Sequence, residues 1–567
     1  MIRALFILLT LCNLVACLPS TKDLKPVTEV TACPGQLDAQ SAIWSQGFGL
    51  NEDNTRFQTT SAITRQNIQQ LKLLYTFVYP FKNPVSSSQS PPAVTEEAII
   101  VGDIGGWVRA IDRTRGCEIW KTKTEGGLIH SGFTLGQVSP DQRTIFFSSG
   151  AELYALDYET GDIHWHQQYE THDNAYIRAT PVYHAGKVYI GYSSNELVLV
   201  GVNPFKACCT FQGSVTAVDA RTGQLIWQRK TMDQPPTKAY PADKVTGPAG
   251  APVWGTPTID AKRNQLLVPT GQQYSGPYTD RSDAILALDL DTGQLKWQFQ
   301  ATQRDIYNAS CDKWLDESQQ PPEKCDPDYV ETREDVKDWD FGSSPVVVRN
   351  RQGQELVLAG QKSGVVWAIS PDDGRVIWQT KVGVGGGFGG IHWGLTVDQS
   401  ANRVYVPVSD LCGLKSEKMS GVKFIVSGNR DSYYTGVWGQ CANAKPGLYA
   451  LDMNDGRVIW QNTKPYSKQG VITYPIMSAP TSAVSDIVFG GYMNGDVRAF
   501  DSRTGNVLWQ YDTNVDSVLG INGIQGDGGS IDGNGGPIVA GNMVLVNSGY
   551  PFGEAGPGNI MMVFGIQ

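Results

Sequence analysis

The stretch Val215-Thr-Ala-Val-Asp-Ala-Arg-Thr-Gly-Gln-Leu-Ile-Trp227 reads as strand, tight turn, strand. Val215, Ala217 and Asp219 alternate with Thr216 and Val218, and a period of two sends neighbouring side chains to opposite faces of a strand. Thr222-Gly223 supplies the turn, because glycine accepts the positive φ that strains other residues. Gln224–Trp227 opens the return strand. One such hairpin cannot bury its apolar faces alone. The chain answers by repeating it at Val108–Trp120, Leu153–Trp165, Ile285–Trp297, Val366–Trp378, Leu448–Trp460 and Val497–Trp509, seven copies in all. An Asp, or Ser370 in one copy, stands four residues before a Gly, and a Trp four after it. The copies start about 45 to 80 residues apart, the spacing of multi-strand sheets with variable loops. Sheets stacked radially into a β-propeller leave only short edges exposed, and each Trp is expected to wedge between neighbouring blades. A linear β-solenoid is the alternative.

The flanks complete the ring. Ile43-Trp-Ser-Gln-Gly47 and Asn54-Thr-Arg-Phe57 precede the first full repeat, and Leu71–Phe77 resembles a lone outer strand with Tyr75 near the Trp slot. Pro537–Tyr550 and Asn559–Gln567 read as strands without a partner copy. Joining the two ends gives an eighth blade and removes the open edge at the seam. The expectation is an all-β, eight-bladed propeller over 43–567, closed by N- and C-terminal strands.

Before it, Met1-Ile-Arg and the apolar run Ala4–Ala16 read as a signal peptide over 1–17, too short to span a bilayer. Leu14-Val-Ala-Cys17 resembles a bacterial lipobox, which makes Cys17 a candidate lipid anchor; ordinary cleavage nearby is the alternative. A linker over 18–42 follows. The reading is a secreted or periplasmic protein, or an outer-membrane lipoprotein. A net charge of −10 and a pI near 5.2 argue against a nucleic-acid partner. With Cys12 and Cys17 set aside, eight cysteines remain, an even number for an oxidising compartment. Cys311 with Cys325 and Cys412 with Cys441 each close a loop, leaving Cys33 with Cys117 by elimination. Cys208-Cys209 forms either a small ring or two separate pairings.

Several catalytic machines are missing. The chain has no Cys-x-x-Cys-His haem attachment, no phosphate loop and no Gly-x-Ser-x-Gly elbow. Gly385-Gly-Gly-Phe-Gly-Gly390 fits a dinucleotide pattern but does not lead from a strand into a helix. His164 and His166 share a strand face that reads as solvated rather than zinc-binding.

Between the repeats lie Ser193-Ser-Asn-Glu196, Cys208-Cys-Thr-Phe211, Val253-Trp-Gly-Thr-Pro257, Thr270-Gly-Gln272, Trp339-Asp-Phe-Gly342 and Gly360-Gln-Lys-Ser-Gly364. In this order they resemble the pyrroloquinoline-quinone (PQQ) alcohol dehydrogenases, closest to the polyvinyl-alcohol-dehydrogenase-like branch. The resemblance covers nearly everything after the leader. It implies Trp254 as the floor under a flat quinone, where a planar indole suits a planar ring; a blade wedge is the alternative. It implies Glu196, Gln272 and Asp340 as ligands of calcium, an ion that takes oxygen donors. Asp340 is then also the catalytic base, with Asp338 as the alternative, and Lys362 the cation on the quinone oxygens. Gly342 brings no extra carboxylate, which fits calcium rather than a lanthanide. Ser194, Cys208, Cys209, Arg178 and Trp393 complete the implied cofactor contacts. Arg178, Gln212 and Gln272 depart from the family's usual residues. The implied activity is oxidation of an alcohol, a secondary or polymeric one included, with electrons passed to an external cytochrome or quinone. A lipid-anchored, non-catalytic propeller scaffold is the reading from another class.

Overall fold

A computed structural model describes residues 32–33, 35–80, 89–202, 208–236, 238–239, 246–308, 338–387, 389–411, 443–550 and 556–566. Eight sheets follow one another along the chain as blades. Blade 3 illustrates the plan: Val182–His184, Lys187–Ser194, Ser214–Asp219 and Leu225–Lys230 pair antiparallel in sequence order.

The repeat works through its turn. Asp219 Oδ1 accepts from Arg221 N (3.1 Å), Thr222 N (2.9 Å) and Thr222 Oγ1 (2.8 Å). Gly223, at φ 70°, donates its N–H to Asp219 O. The same carboxylate cap recurs at Asp112, Asp157, Asp289 and Asp501. Each repeat Trp then docks on the next blade. Trp227 Nε1 donates to Leu290 O at 3.1 Å, the carbonyl just after the next Asp, and its ring lies on Gly293. Trp120, Trp165, Trp297, Trp378 and Trp460 do likewise on Tyr158, Ala220, Pro371, Met453 and Ser502. The turn glycine is thus needed twice, for its positive φ and for the indole against it. Gly293→Ala puts a Cβ 2.6 Å from Trp227 Cε3. The left-handed backbone alone costs about 1–2 kcal/mol, so a lowered denaturation midpoint with unchanged site properties is the expected result.

The seam closes as the flanks predict. Lys72–Val78 pairs antiparallel with Ile560–Gly565, and Met543–Ser548 and Pro537–Ala540 complete blade 8. Tyr75 occupies the eighth Trp slot: its hydroxyl donates to Arg113 O at 2.7 Å and its ring borders Gly116. The Cys33–Cys117 bridge is present, and Leu37 joins the blade 1 core, so part of the 18–42 stretch packs on the propeller. Residues 1–31 and the four cysteines 311, 325, 412 and 441 lie outside the described residues.

A plug crosses the central channel. Gly47 N donates to Phe133 O in blade 2, and Asn54 Nδ2 donates to Thr258 Oγ1 in blade 4. Thr55 O accepts from Val397 N in blade 6, and Arg56 O from Ala483 N in blade 7. These contacts fall at or just inside the start of the inner strands, so the plug floors the channel beneath the loops that precede them.

Candidate active site

Those loops build a ring. The residue four positions before the first strand of each blade is, in order, Gln89, His130, Arg178, Trp254, Gly342, His392, Ser478 and Gly533. Gln89 Oε1 and His130 Nδ1 are 2.8 Å apart, as are His392 Nδ1 and Ser478 Oγ. The Trp254 ring stands edge-on to His392 at 5.7 Å and to Trp393 at 5.1 Å. A Cβ on Gly342 would fall 1.8 Å from Trp254 Cη2, so only glycine leaves room for the indole. Unlike the repeat tryptophans, Trp254 docks on no turn.

Its Nε1 instead donates to Asp340 Oδ2 at 3.0 Å. Lys362 Nζ donates to the same oxygen at 3.0 Å and to Asp338 Oδ2 at 3.3 Å, and stands 5.3 Å from the Trp254 ring centre. Asp340 Oδ1 accepts from Gln272 N at 2.6 Å. Four of the expected residues therefore meet at one carboxylate, all buried. Burial alone would lower the Lys362 ammonium, but Asp338 and Asp340 more than offset it and hold it above its ordinary value. Burial raises the Asp338 carboxyl well above the usual range against the opposing pull of Lys362. His392 is held well below its ordinary value by burial and by the Lys362 and Arg178 cations, and burial takes His130 down to about 3. Both imidazoles are neutral at neutral pH, so Arg178 is the cation of this ring among the described residues, with Lys362 beside it.

Arg178 stacks near Trp393 (5.6 Å) and Tyr176 (5.8 Å), the Tyr176 and Tyr550 phenols act on its charge, and among the described residues its Nε has no partner. Glu196 stands apart from this group. Its carboxylate accepts from Phe211 N (2.8 Å) and from Thr210 N and Oγ1 (3.0 and 3.2 Å), directly after the Cys208–Cys209 ring, which is closed. Ser194 Oγ accepts from Glu196 N at 2.9 Å. Among the described residues no hydrogen bond or ion pair joins Glu196 to Asp340.

Of the three departures, Gln272 and Arg178 line the site. Gln212 is spent elsewhere, its Nε2 donating to Gln234 O and Pro248 O. His164 and His166 lie on the outer strand of blade 2 beside Asp157 and Glu152. Sequence reading missed Tyr176, Tyr550, His130, His392 and Asp532, whose carboxyl burial pushes up to about 6. A signal existed for the two histidines: their fixed place four residues ahead of each blade.

Two family profiles match the chain. "Glucose/ethanol/alcohol dehydrogenase, beta-propeller domain" (PQQ) matches residues 44–313, and "Outer membrane protein assembly factor BamB" matches 425–551. A polyvinylalcohol dehydrogenase of Pseudomonas sp is 31% identical over 515 residues, covering 89% of this chain and 73% of the relative. A second, from Sphingopyxis sp. (strain 113P3), is 30% identical over 560 residues, covering 95% and 79%. The chain belongs to the PQQ alcohol dehydrogenase family. Within it, the two relatives place the chain in the polyvinyl-alcohol-dehydrogenase-like branch. The quinohemoprotein alcohol dehydrogenase from Comamonas testosteroni shares the fold, with a TM-score of 0.62 at 19% identity over 92% of this chain and 80% of that one.

The residues fit the family's quinone. A flat aromatic surface, two cations and an unpartnered Arg178 Nε are what a planar polyanion needs. They fit the family's calcium less well. Among the described residues Gln272 Oε1 has no partner and Asp340 Oδ1 accepts a single hydrogen bond, but the Glu196 carboxylate accepts from Thr210 and Phe211 and shares no contact with Asp340.

Proposed function

We propose that this quinoprotein oxidises alcohols outside the cytoplasm, secondary or polymeric alcohols among them, and passes the electrons to an external acceptor. The observation that carries the reading is the Asp340 carboxylate, buried and held by Trp254, Lys362 and Gln272 at once. When bound, PQQ supplies the two-electron chemistry by accepting hydride from the alcohol carbon. Trp254 would hold its ring, and Lys362 and Arg178 would meet its oxygens and carboxylates.

Asp340 takes the hydroxyl proton. A carboxylate oxygen has two lone pairs. Among the described residues Oδ2 accepts from two donors, whereas Oδ1 accepts only from Gln272 N. Oδ1 is therefore the atom that receives the proton. Lys362 places a fixed positive charge on the other oxygen, Oδ2, and so leaves Oδ1 to face the substrate hydroxyl. Calcium, if recruited, would be held by Gln272 Oε1 together with Glu196 and Asp340 once these give up protein donors; no step here depends on it.

The reading is favoured over a scaffold because the buried Asp340–Lys362 pair also holds the Trp254 indole and the Gln272 amide, and so brings together the residues an oxidation of this kind needs. The direct test is dye-linked turnover by the purified protein supplied with PQQ, with and without calcium, across primary, secondary and polymeric alcohols. Quinone-dependent reduction of the dye by at least one alcohol class is expected; no turnover with any of them removes the enzymatic reading.

A further inference from the structure

We propose that Gly387 is a specificity-determining residue of this site: its missing side chain leaves, beside the Asp338–Lys362 pair, the room that the second carbon substituent of a secondary or polymeric alcohol occupies. The inference rests on the quinone-dependent reading above and names the residue that sets its substrate class. Gly387 belongs to the glycine-rich loop that joins strand Val376–Lys381 of blade 5 to Thr396–Asp398 of blade 6. The loop is clasped at both ends to the turn that carries Lys362. Val382 N donates to Gly364 O at 2.8 Å, and Ile391 N to Gln361 O at 3.2 Å. Between the clasps, Val384 N and Gly385 N donate to Asp410 Oδ1 at 2.9 and 3.4 Å. Gly387 is thereby held over the Lys362 turn.

Its neighbours in the loop are glycines for the sake of the backbone. Gly385, Gly386 and Gly390 sit at φ 94°, 142° and 60°, where a Cβ is strained. A Cβ on Gly383 would fall 2.3 Å from Asp410 Oδ1, and one on Gly389 2.8 Å from Gly385 O and from Leu411 O. Gly387 has neither reason. Its φ lies outside the left-handed region, and the three atoms nearest a Cβ there all belong to the Asp338 side chain, with Oδ2 at 3.0 Å, Cβ at 3.7 Å and Cγ at 3.8 Å. An alanine would fit if Asp338 gave by a few tenths of an ångström. What it would fill is space between the carboxylate and solvent. Gly386 and Gly387 are partly exposed, whereas Asp338, Asp340 and Lys362 are buried. The Asp338 carboxylate that faces Gly387 presents Oδ2 to Lys362 Nζ and keeps an Oδ1 with no partner among the described residues. Lys362 Nζ also holds Asp340 Oδ2, which Trp254 Nε1 reaches, while Gln272 N meets Asp340 Oδ1. The quinone surface therefore lies on the Asp340 side of the lysine, and the opening at Gly387 on the Asp338 side. An alcohol whose hydroxyl meets Asp340 Oδ1 sends its far substituent into that opening.

Gly387→Ala and Gly387→Val in the full chain, loaded with PQQ, test this with 1-butanol, 2-butanol and 4-heptanol as probes. The readouts are kcat/KM for each alcohol and PQQ affinity by quenching of tryptophan fluorescence. One methyl group in a substrate pocket is worth about tenfold in discrimination. The ratio of kcat/KM for 4-heptanol to that for 1-butanol should therefore fall about tenfold in Gly387→Ala and further in Gly387→Val, with PQQ affinity within about twofold of wild type. A ratio within about twofold of wild type in Gly387→Ala overturns the proposal, even when every alcohol is slowed, because a Cβ that only displaced Asp338 would slow them all by one factor. A fall in PQQ affinity of about tenfold in Gly387→Ala also overturns it, by setting Gly387 against the quinone. A wild-type protein that oxidises 1-butanol but neither secondary alcohol overturns the proposal and leaves the functional reading standing. One that turns over no alcohol removes that reading and this inference together, before either variant is made.

Discussion

Asp340→Asn is expected to lower kcat by about 10²–10⁴-fold, the range of a lost general base, while PQQ remains bound. The amide is nearly isosteric, so Trp254 and Lys362 keep an oxygen to donate to at the Oδ2 position. What disappears is the basic lone pair on Oδ1, replaced by an NH₂ that also faces the Gln272 N–H. The local mismatch predicts a small loss of stability beside a large loss of rate. Single-turnover kinetics with preloaded quinone separate the two: a slow chemical step with normal quinone occupancy is the expected signature. A kcat within tenfold of wild type would assign the proton to another group, with Asp338 first in line because it shares Lys362.

Arg56→Met is expected to be the most destabilising of the substitutions named here, by about 3 kcal/mol or more. The side chain is fully buried and has no carboxylate among its hydrogen-bond partners. Its Nε donates to Thr481 O at 2.6 Å, Nη2 to Ser482 Oγ, Gly535 O and Pro537 O, and Nη1 to Phe48 O. One guanidinium thereby ties the channel plug to blades 7 and 8, next to the seam. Burial lowers its pKa to about 9, so it is still charged at neutral pH. Methionine removes the cost of burying that charge but strands Phe48 O and Gly535 O, each worth about 1–3 kcal/mol if left unpaired, while Thr481 O and Pro537 O keep Thr396 Oγ1 and Ser482 Oγ as donors. The sum favours destabilisation. Urea denaturation followed by tryptophan fluorescence measures it, and a midpoint unchanged from wild type would mean the plug contributes nothing to closure.

The propeller was legible because its code is local. Asp, Gly and Trp at fixed spacing specify a capped turn and a wedge, and each needs only the next copy to work. Tyr75 could be placed in the eighth slot for the same reason. The site was legible only as a set of short stretches. Trp254, Gln272, Asp340 and Lys362 do meet, but that Lys362 bridges two carboxylates, or that Asp340 Oδ1 keeps a free lone pair, depends on how separate blades face each other. Glu196 shows the limit: it reads as a metal ligand, yet its carboxylate is occupied by amides 14 and 15 residues downstream. The axial ring escaped notice because its members share a position and no residue type. Arg56 carries no pattern at all, since its role comes from partners far away in the chain.

The central claim is that one flat indole at the hub receives one quinone. Equilibrium titration of the apo protein with PQQ, followed by tryptophan quenching, tests it directly when run beside Trp254→Ala. Saturation at one PQQ per chain is expected for wild type, with a loss of affinity of at least about a hundredfold for the variant, consistent with removing a stacking surface worth a few kcal/mol. Equal affinity in the two proteins, or no saturable binding to wild type, contradicts it.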